Sequence, residues 1–312
     1  MPRHAYASAQ PHNAAATTTT RGGDVAGTVG PAGRMQIGRV LSALRERAAL
    51  TQAEVAGRAG VSIGTVNRYE GWQDRTRLRV PTVRAIADVC GATESERDGL
   101  VRLATSHEDG WWLEHPALPD ILNPLMSFEA YAAYEHVWAN QLVPGLLQTE
   151  GYAFALHQVA DPRADASSIK AKVTARMNRQ GILSDSGLHL WVVMKQSVLT
   201  DGIGGAKVMA EQISHLIEVS SQPNIDLQVL PRGRGHVANS GGHFVLLGRD
   251  DGADPMASMA VVYLELHRRG LYLDAPGDVS EYKIMFDYLR SAAADPETSR
   301  DLLESARQEY TR

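Results

Sequence analysis

Apolar side chains recur at helical spacing from Met35 onward. The spacing i, i+3, i+4 and i+7, with arginines on the other faces, is typical of an amphipathic helix and is seen at Ile37, Val40, Leu41 and Leu44. Similar short segments follow, including a fourth helix expected from Thr82 and a fifth from Glu94 to Ala104. The pattern therefore predicts an all-α module of five helices within residues 34–106.

The second and third of these helices carry clear start and stop signals. Thr51 precedes Glu54 by three residues, which is the spacing of a capping box. Gly60 is expected to end this helix, and Ser62 to cap the next, which should run to Glu70. Two short helices joined by a tight turn at glycine predict a helix-turn-helix.

Beyond residue 107 the pattern becomes mixed, which predicts an α+β domain. The run 188–194 is almost wholly apolar, as in a fully buried strand, whereas 225–229 alternates as a half-exposed strand does. Further strands are expected over 242–247 and 257–264. Helices are expected over 128–139, 149–159, 166–183 and 204–220, then from a capping box at Asp278 and Glu281 to Arg290, and from Asp295-Pro296 onward.

Length and composition indicate more than one folded domain. The chain has 312 residues, of which 44% are hydrophobic and 21% charged, a globular composition. Residues 1–33 are rich in Ala, Thr, Gly and Pro and are expected to form a disordered tail. We therefore expect this tail, a helix-turn-helix domain over 34–106 and an α+β domain over 107–312. A single cysteine, Cys90, and the lack of a long apolar run predict a cytoplasmic, nucleoid-associated protein without a membrane partner.

The net charge of -5 conceals a division between the domains. Residues 34–106 contain 12 Arg and no Lys against 8 acidic residues, a balance of +4. Residues 107–312 carry a balance of -10. A basic module joined to an acidic body points to a polyanion as partner of the basic part, although ordinary compositional scatter is the alternative.

The segment 50–71 resembles lambda-repressor-like regulators of the xenobiotic-response-element type. The resemblance rests on its start at Thr51-Gln52, its turn at Gly60-Val61-Ser62 and its end at Glu70-Gly71, and it covers about residues 35–105. It implies binding to double-stranded DNA, with the third helix in the major groove. A helical module used only for protein contacts is the alternative.

The resemblance also implies roles for individual side chains. Gln52 is expected to hold the DNA backbone. The third helix would present to the groove or its walls Ser62, Ile63, Gly64, Thr65, Asn67 and Arg68. Well-known members carry long amides where this chain has Ile63 and Gly64. Hydrogen-bonded readout therefore falls on Thr65, Asn67 and, above all, Arg68 opposite guanine. Phosphate contacts are the alternative for each.

Three arginines alternate in the loop after the third helix. Arg75, Arg77 and Arg79 are expected to touch the phosphate backbone beside the groove. The alternative is a solvated surface.

The C-terminal part resembles a domain that follows a helix-turn-helix in many actinomycete regulators and is described as antitoxin-like. The residues that agree are the run 142–153, Arg176 with Arg179-Gln180, Leu230-Pro231 with His236, and the run 261–265. The family usually has a glutamate and an arginine where this chain has Gln196 and Thr200. The resemblance implies a regulator rather than an enzyme, with a small partner protein as a possible ligand.

Four tryptophans are candidates for the lining of a small-molecule pocket: Trp111, Trp112, Trp138 and Trp191. Core or dimer contacts are the alternative. His236 and His243 fit no metal or nucleophile motif, and Glu129 and Glu135, six apart on an expected helix, would not share a face. We therefore expect no catalytic residue, metal or cofactor.

The resulting hypothesis is a homodimeric DNA-binding transcriptional regulator whose C-terminal domain dimerises and senses a ligand or protein. An antitoxin-like protein that restrains a small partner and regulates its own synthesis is the main alternative. An enzyme fused to a DNA-binding module is a third.

Overall fold

The computed structural model describes residues 29–74, 77–106, 122–185, 187–234, 242–250, 258–266 and 269–312. The N-terminal part consists of helices and the C-terminal part of a mixed sheet with helices, which confirms the predicted order of an all-α domain and an α+β domain.

Five helices form the N-terminal domain: α1 (Pro31–Arg47), α2 (Gln52–Ala59), α3 (Ile63–Glu70), α4 (Val80–Val89) and α5 (Glu94–Thr105). They enclose one apolar core, whose largest members include Ile37, Leu41, Ile86 and Leu100. Helix α4 starts two residues earlier than Thr82, with Pro81 in its first turn, where the missing N–H is tolerated.

Helix α1 begins at Pro31, four residues before the expected Met35. Val29 and Ala32 are buried, and the amide of Ala32 donates a hydrogen bond to Ser127 Oγ at 3.0 Å. The expected tail is therefore wrong for residues 29–33, which are packed against the folded protein. The small side chains of this first turn give little apolar periodicity, so the sequence pattern missed it. The remainder of the expected tail, residues 1–28, lies outside the described residues.

The C-terminal domain contains six strands: β1 (Tyr134–Ala139), β2 (His189–Lys195), β3 (Ile225–Leu230), β4 (Phe244–Arg249), β5 (Met259–Leu266) and β6 (Arg269–Leu273). Its helices are α6 (Asn123–Tyr131), α7 (Glu150–Ala160), α8 (Ala166–Arg179), α9 (Ile182–Asp185), α10 (Ala206–Val219), α11 (Pro276–Ala292) and α12 (Pro296–Thr311). Two short 3-10 helices span Gly145–Leu147 and Gln196–Leu199.

The strands form one sheet in the order β3-β2-β1-β4-β5-β6. Strands β1, β2 and β3 run parallel, and β4, β5 and β6 join antiparallel to β1 and to each other. One face packs against α11. The other face packs against α6, α10 and α12 and forms the larger core.

The expected helix over 128–139 is wrong. Helix α6 ends at Tyr131, and residues 134–139 form strand β1 in the middle of the sheet. A central strand is buried on both faces, so it lacks the polar-apolar alternation that marks a half-exposed strand. This difference matters because it moves Glu135 from a helix into the sheet.

Smaller differences have local causes. The expected capping box at Asp278 is absent, because α11 starts at Pro276 without a side-chain cap. The last helix begins as expected, with Asp295 accepting a hydrogen bond from the amide of Thr298. Strand β6, which the pattern missed, is a short edge strand with largely exposed side chains.

The two domains meet at Trp72, the second residue after the end of the third helix. Its ring lies edge-on to Phe128 of α6 and to Tyr272 of β6, at centroid distances of 5.2 and 5.5 Å. Met35 of α1 is buried in the same C-terminal core. The helical domain is thus anchored to the α+β domain by aromatic packing.

Candidate DNA-recognition surface and a buried polar cluster

The helix-turn-helix forms as its capping residues predict. The Thr51 side chain accepts from the amide of Glu54, whose carboxylate accepts from the amide of Thr51, so the capping box is complete. Gly60 adopts φ 67°, the left-handed conformation that ends α2. Ser62 then caps α3 by accepting from the amide of Thr65 at 3.1 Å.

Helix α3 is fixed by its apolar face and by close contact with α1. Val66 and Tyr69 are buried in the N-terminal core. A Cβ at Gly38 of α1 would lie only 2.3 Å from the carbonyl oxygen of Glu70. The end of α3 can therefore approach α1 this closely only because position 38 is glycine.

The remaining face of α3 is open to solvent, and it carries the residues predicted to read DNA. Exposed side chains or backbone are found at Ser62, Ile63, Gly64, Asn67 and Arg68, and Thr65 is half-buried. Ile63 is 54% exposed, so its apolar side chain is accessible on this face. A Cβ at Gly64 would meet nothing closer than Ser62 Oγ at 3.8 Å, so a side chain there would fit.

A chain of side-chain hydrogen bonds runs along this face. The hydroxyls of Ser62 and Thr65 lie 2.9 Å apart, and Arg68 Nη2 donates to Thr65 Oγ1 at 3.2 Å. The Arg68 guanidinium is therefore directed along the exposed face toward the N-terminus of α3. Its remaining N–H groups are available to an acceptor in a groove.

The Gln52 side chain is hydrogen-bonded within the protein. Its Nε2 donates to Glu70 Oε2 at 2.9 Å, and the same carboxylate accepts two bonds from Arg45, at 2.7 and 3.0 Å. The hydrogen bond that Arg45 donates to Glu70 is the main reason that the pKa of Arg45 is raised. This cluster ties the start of α2 to the end of α3. The resemblance did not indicate it, because Glu70 pairs with a residue of α1.

Two of the three loop arginines lie beside α3. Arg77 and Arg79 are exposed on either side of buried Leu78. The amide of Arg79 donates to Tyr69 Oη at 2.9 Å, which attaches this loop to α3. Arg75 lies outside the described residues.

Two of the four candidate tryptophans lie in the described part of the chain. Trp138 is fully buried on the sheet face that packs against α11. Trp191 is half-buried on the same face, where its Nε1 donates to Gln228 Oε1 at 2.9 Å and its ring faces Arg290. Both rings take part in the packing of this face. Trp111 and Trp112 lie outside the described residues, as does His236.

A polar cluster that sequence reasoning missed lies inside the C-terminal domain. Arg179 of α8 makes a two-pronged ion pair with Glu129 of α6. Glu135 of β1 is also buried, and its pKa is raised well above the ordinary value by burial and by repulsion from Glu129, against the opposing effect of Arg179. Glu135 acts electrostatically on both Glu129 and Arg179 because residues 134–139 form a strand of the sheet. The expected common helix had kept the two carboxylates apart.

Comparison with known protein families gives two matches. Residues 36–100 match a helix-turn-helix domain. Residues 122–305, more than half of the chain, match a family described as domain of unknown function DUF5753. The chain belongs to the DUF5753 family. No curated protein and no solved structure matches it.

The DUF5753 domain contains the two positions where the resemblance led us to expect charged residues. Gln196 Oε1 accepts from the amide of Arg232 at 2.9 Å, and Thr200 Oγ1 accepts from its guanidinium at 2.8 Å. Both residues hold the segment after β3. An arginine at position 200 would instead oppose Arg232 with a like charge.

Two features are absent from the described ranges. Within them, no group of three or more His, Cys, Asp and Glu side chains is placed to hold a metal ion. In the same ranges, no helix is both long and apolar enough to cross a lipid bilayer.

Proposed function

We propose that this protein is a sequence-specific regulator of transcription that inserts α3 into the major groove of duplex DNA. The observation that carries the proposal is the exposed face of α3, with Arg68 on it and Arg77 and Arg79 beside it. An α-helix fits the major groove, and flanking arginines suit the phosphates on its walls. The match to a helix-turn-helix domain supports the same function.

The side chains divide into base-reading and backbone-binding groups. Arg68 is the proposed base contact, through two N–H groups to guanine. Ile63 offers an apolar surface suited to a thymine methyl group. Arg77 and Arg79 bind phosphates, and Gln52 joins them at the start of α2 by turning its amide from Glu70 to the backbone.

The DUF5753 domain is proposed to pair two copies of the chain and to sense a ligand or protein, without catalysis. Two helix-turn-helix domains on a two-fold symmetric site gain affinity because binding of one brings the other into place. In this proposal the protein acts in the cytoplasm as a regulator of the xenobiotic-response-element type.

Selection from a random duplex library with the full chain tests this function. We expect a recurring motif, and we expect Arg68→Ala to lose preference at one base pair of it. Arg163→Ala, at an exposed position in the C-terminal domain, is the matched control and should select the same motif. Failure to enrich any motif at low salt would contradict the proposal.

A further inference from the structure

Two arginines lie one turn apart on α8, and they differ in how their charges are neutralised. Arg179 is paired with the carboxylate of Glu129. Arg176 instead donates to the neutral amide oxygen of Gln148 at 2.6 Å. Within the described ranges, no carboxylate oxygen lies within 4.0 Å of the Arg176 guanidinium nitrogens.

The Arg176 guanidinium is enclosed by protein, yet part of the residue is accessible to solvent. Burial is the main cause that lowers its pKa to about 10, and the neighbouring charge of Arg179 acts in the same direction. An enclosed cation is costly unless an anion or a set of acceptors compensates it. Gln148 supplies one acceptor only.

One polar group that interacts electrostatically with Arg176 lacks a hydrogen-bond partner. His157 of α7 has a buried Nε2 with no hydrogen-bond partner among the described residues. Burial, then the charges of Arg176 and Lys172, lower the pKa of His157 to about 4, so its ring is neutral at pH 7. A neutral imidazole can donate to an oxyanion or accept from its hydroxyl.

Hydrogen bonds fix both the side chain and the backbone of Gln148. Its side-chain Nε2 donates to the carbonyl of Val143 at 2.7 Å, and its backbone carbonyl accepts from Gln180 Nε2 at 2.7 Å. A Cβ at Gly145 would stand 3.4 Å from Arg179 Nη1, so this turn also packs closely on the arginines. The donors of Arg176 are thereby held in place before any ligand arrives.

We propose that Arg176 of α8 binds a small-molecule oxyanion, a carboxylate or phosphate group, beside Gln148, and that His157 of α7 contributes a second polar group. This gives a chemical class to the ligand sensing proposed above and rests on that proposal for its regulatory meaning.

A short series of contacts connects the region of Arg176 to the helix-turn-helix. Arg179 lies one turn from Arg176 and holds Glu129, and the adjacent residue of α6, Phe128, packs on Trp72. Binding at Arg176 would therefore act close to the junction of the two domains.

Nuclear magnetic resonance of the full chain labelled with 15N arginine tests the site. Arg176→Lys, which keeps the charge but lacks the Nε–H group, assigns the Arg176 signal by its disappearance. We expect that signal to shift saturably on addition of sodium acetate or sodium phosphate, beyond the shift caused by sodium chloride at equal ionic strength. A larger response to acetate assigns a carboxylate, and a larger response to phosphate a phosphate group.

A control separates this site from the DNA-binding surface, which also attracts phosphate. Arg79→Gln should leave the Arg176 titration unchanged. An Arg176 signal that moves with neither anion beyond the chloride control would overturn the proposal. Loss of DNA binding with an intact Arg176 titration would contradict the proposed function alone.

Discussion

The indole of Trp72 lies edge-on against the phenol ring of Tyr272, with 5.5 Å between the ring centroids. Trp72 is the second residue after the end of α3, and Tyr272 belongs to β6 of the C-terminal domain. A residue just beyond α3 is therefore inserted into the core of the other domain. This contact helps to fix the orientation of α3 relative to the sheet.

Trp72→Ala should loosen the joint between the domains. Truncating a buried tryptophan costs about 3–5 kcal/mol, and here the loss falls on the contact that joins two cores. We expect calorimetry to resolve two unfolding transitions in the variant where the wild-type protein shows one. Trp191→Ala, on the opposite face of the sheet, should lower stability without separating the transitions. A single transition in both variants would show that Trp72 does not couple the domains.

Gly38→Ala tests the close approach of α1 and α3. Its Cβ would stand 2.3 Å from the carbonyl oxygen of Glu70, so α3 must move, at a cost of about 1–3 kcal/mol. Gly57→Ala is the matched control, because a Cβ there meets nothing within 4 Å and alanine favours the helix by about 0.5–1 kcal/mol. Urea denaturation should therefore show opposite signs for the two variants. Equal effects would contradict the close contact.

Local signals in the sequence predicted the helix-turn-helix well. They did not predict contacts between residues that are far apart in the chain. Thr51, Gly60 and Ser62 act on backbone groups within a few residues, so their roles can be inferred from spacing alone. Strand β1 was missed because its burial is decided by neighbouring strands. Trp72 was not singled out, because nothing near it in the chain indicates a partner 200 residues away at Tyr272.

The pair Glu129 and Glu135 offers a second matched test at the buried arginine. Glu129→Gln removes the carboxylate that contacts Arg179 and leaves a buried charge uncompensated, which costs about 3–5 kcal/mol. Glu135→Gln should be neutral or stabilising at pH 7, because the raised pKa keeps that carboxyl protonated to higher pH. Denaturation of both variants at pH 7 checks this order.

The pH dependence of the Glu135 variant has a defined sign. A carboxyl whose pKa is raised in the folded protein binds its proton more tightly there than in the unfolded chain. The stabilisation that Glu135 contributes to the folded protein is complete below about pH 4.5, the ordinary pKa of a glutamate. It is lost as the pH rises through the folded-state pKa. The stability of wild type relative to Glu135→Gln should therefore fall with rising pH. A difference in stability between the two proteins that stays constant with pH would contradict the raised pKa of Glu135.

Glu96 should show the opposite dependence. Its hydrogen bond from Arg47, then that from the Thr93 amide, lower its pKa to about 2 from 4.5. The stabilisation is present above pH 4.5 and is lost as the pH falls toward 2. Because the pair is partly exposed, we expect only about 1 kcal/mol. In Glu96→Gln, the free energy of unfolding should fall less steeply than in wild type as the pH drops below 4.5. An unchanged pH dependence would show that the Arg47–Glu96 pair does not cause this loss of stability.

The central claim is that α3 reads bases while the arginines beside it bind phosphates. Its most direct test is the affinity of the full chain for a selected duplex and for single-base variants of it, measured across salt concentrations. Arg79→Ala should weaken binding to every duplex alike and reduce the slope of log affinity against log salt by about one. Arg68→Ala should instead lose discrimination at one base pair, worth about 1–3 kcal/mol. If both variants bind all duplexes as the wild-type protein does, the account is wrong.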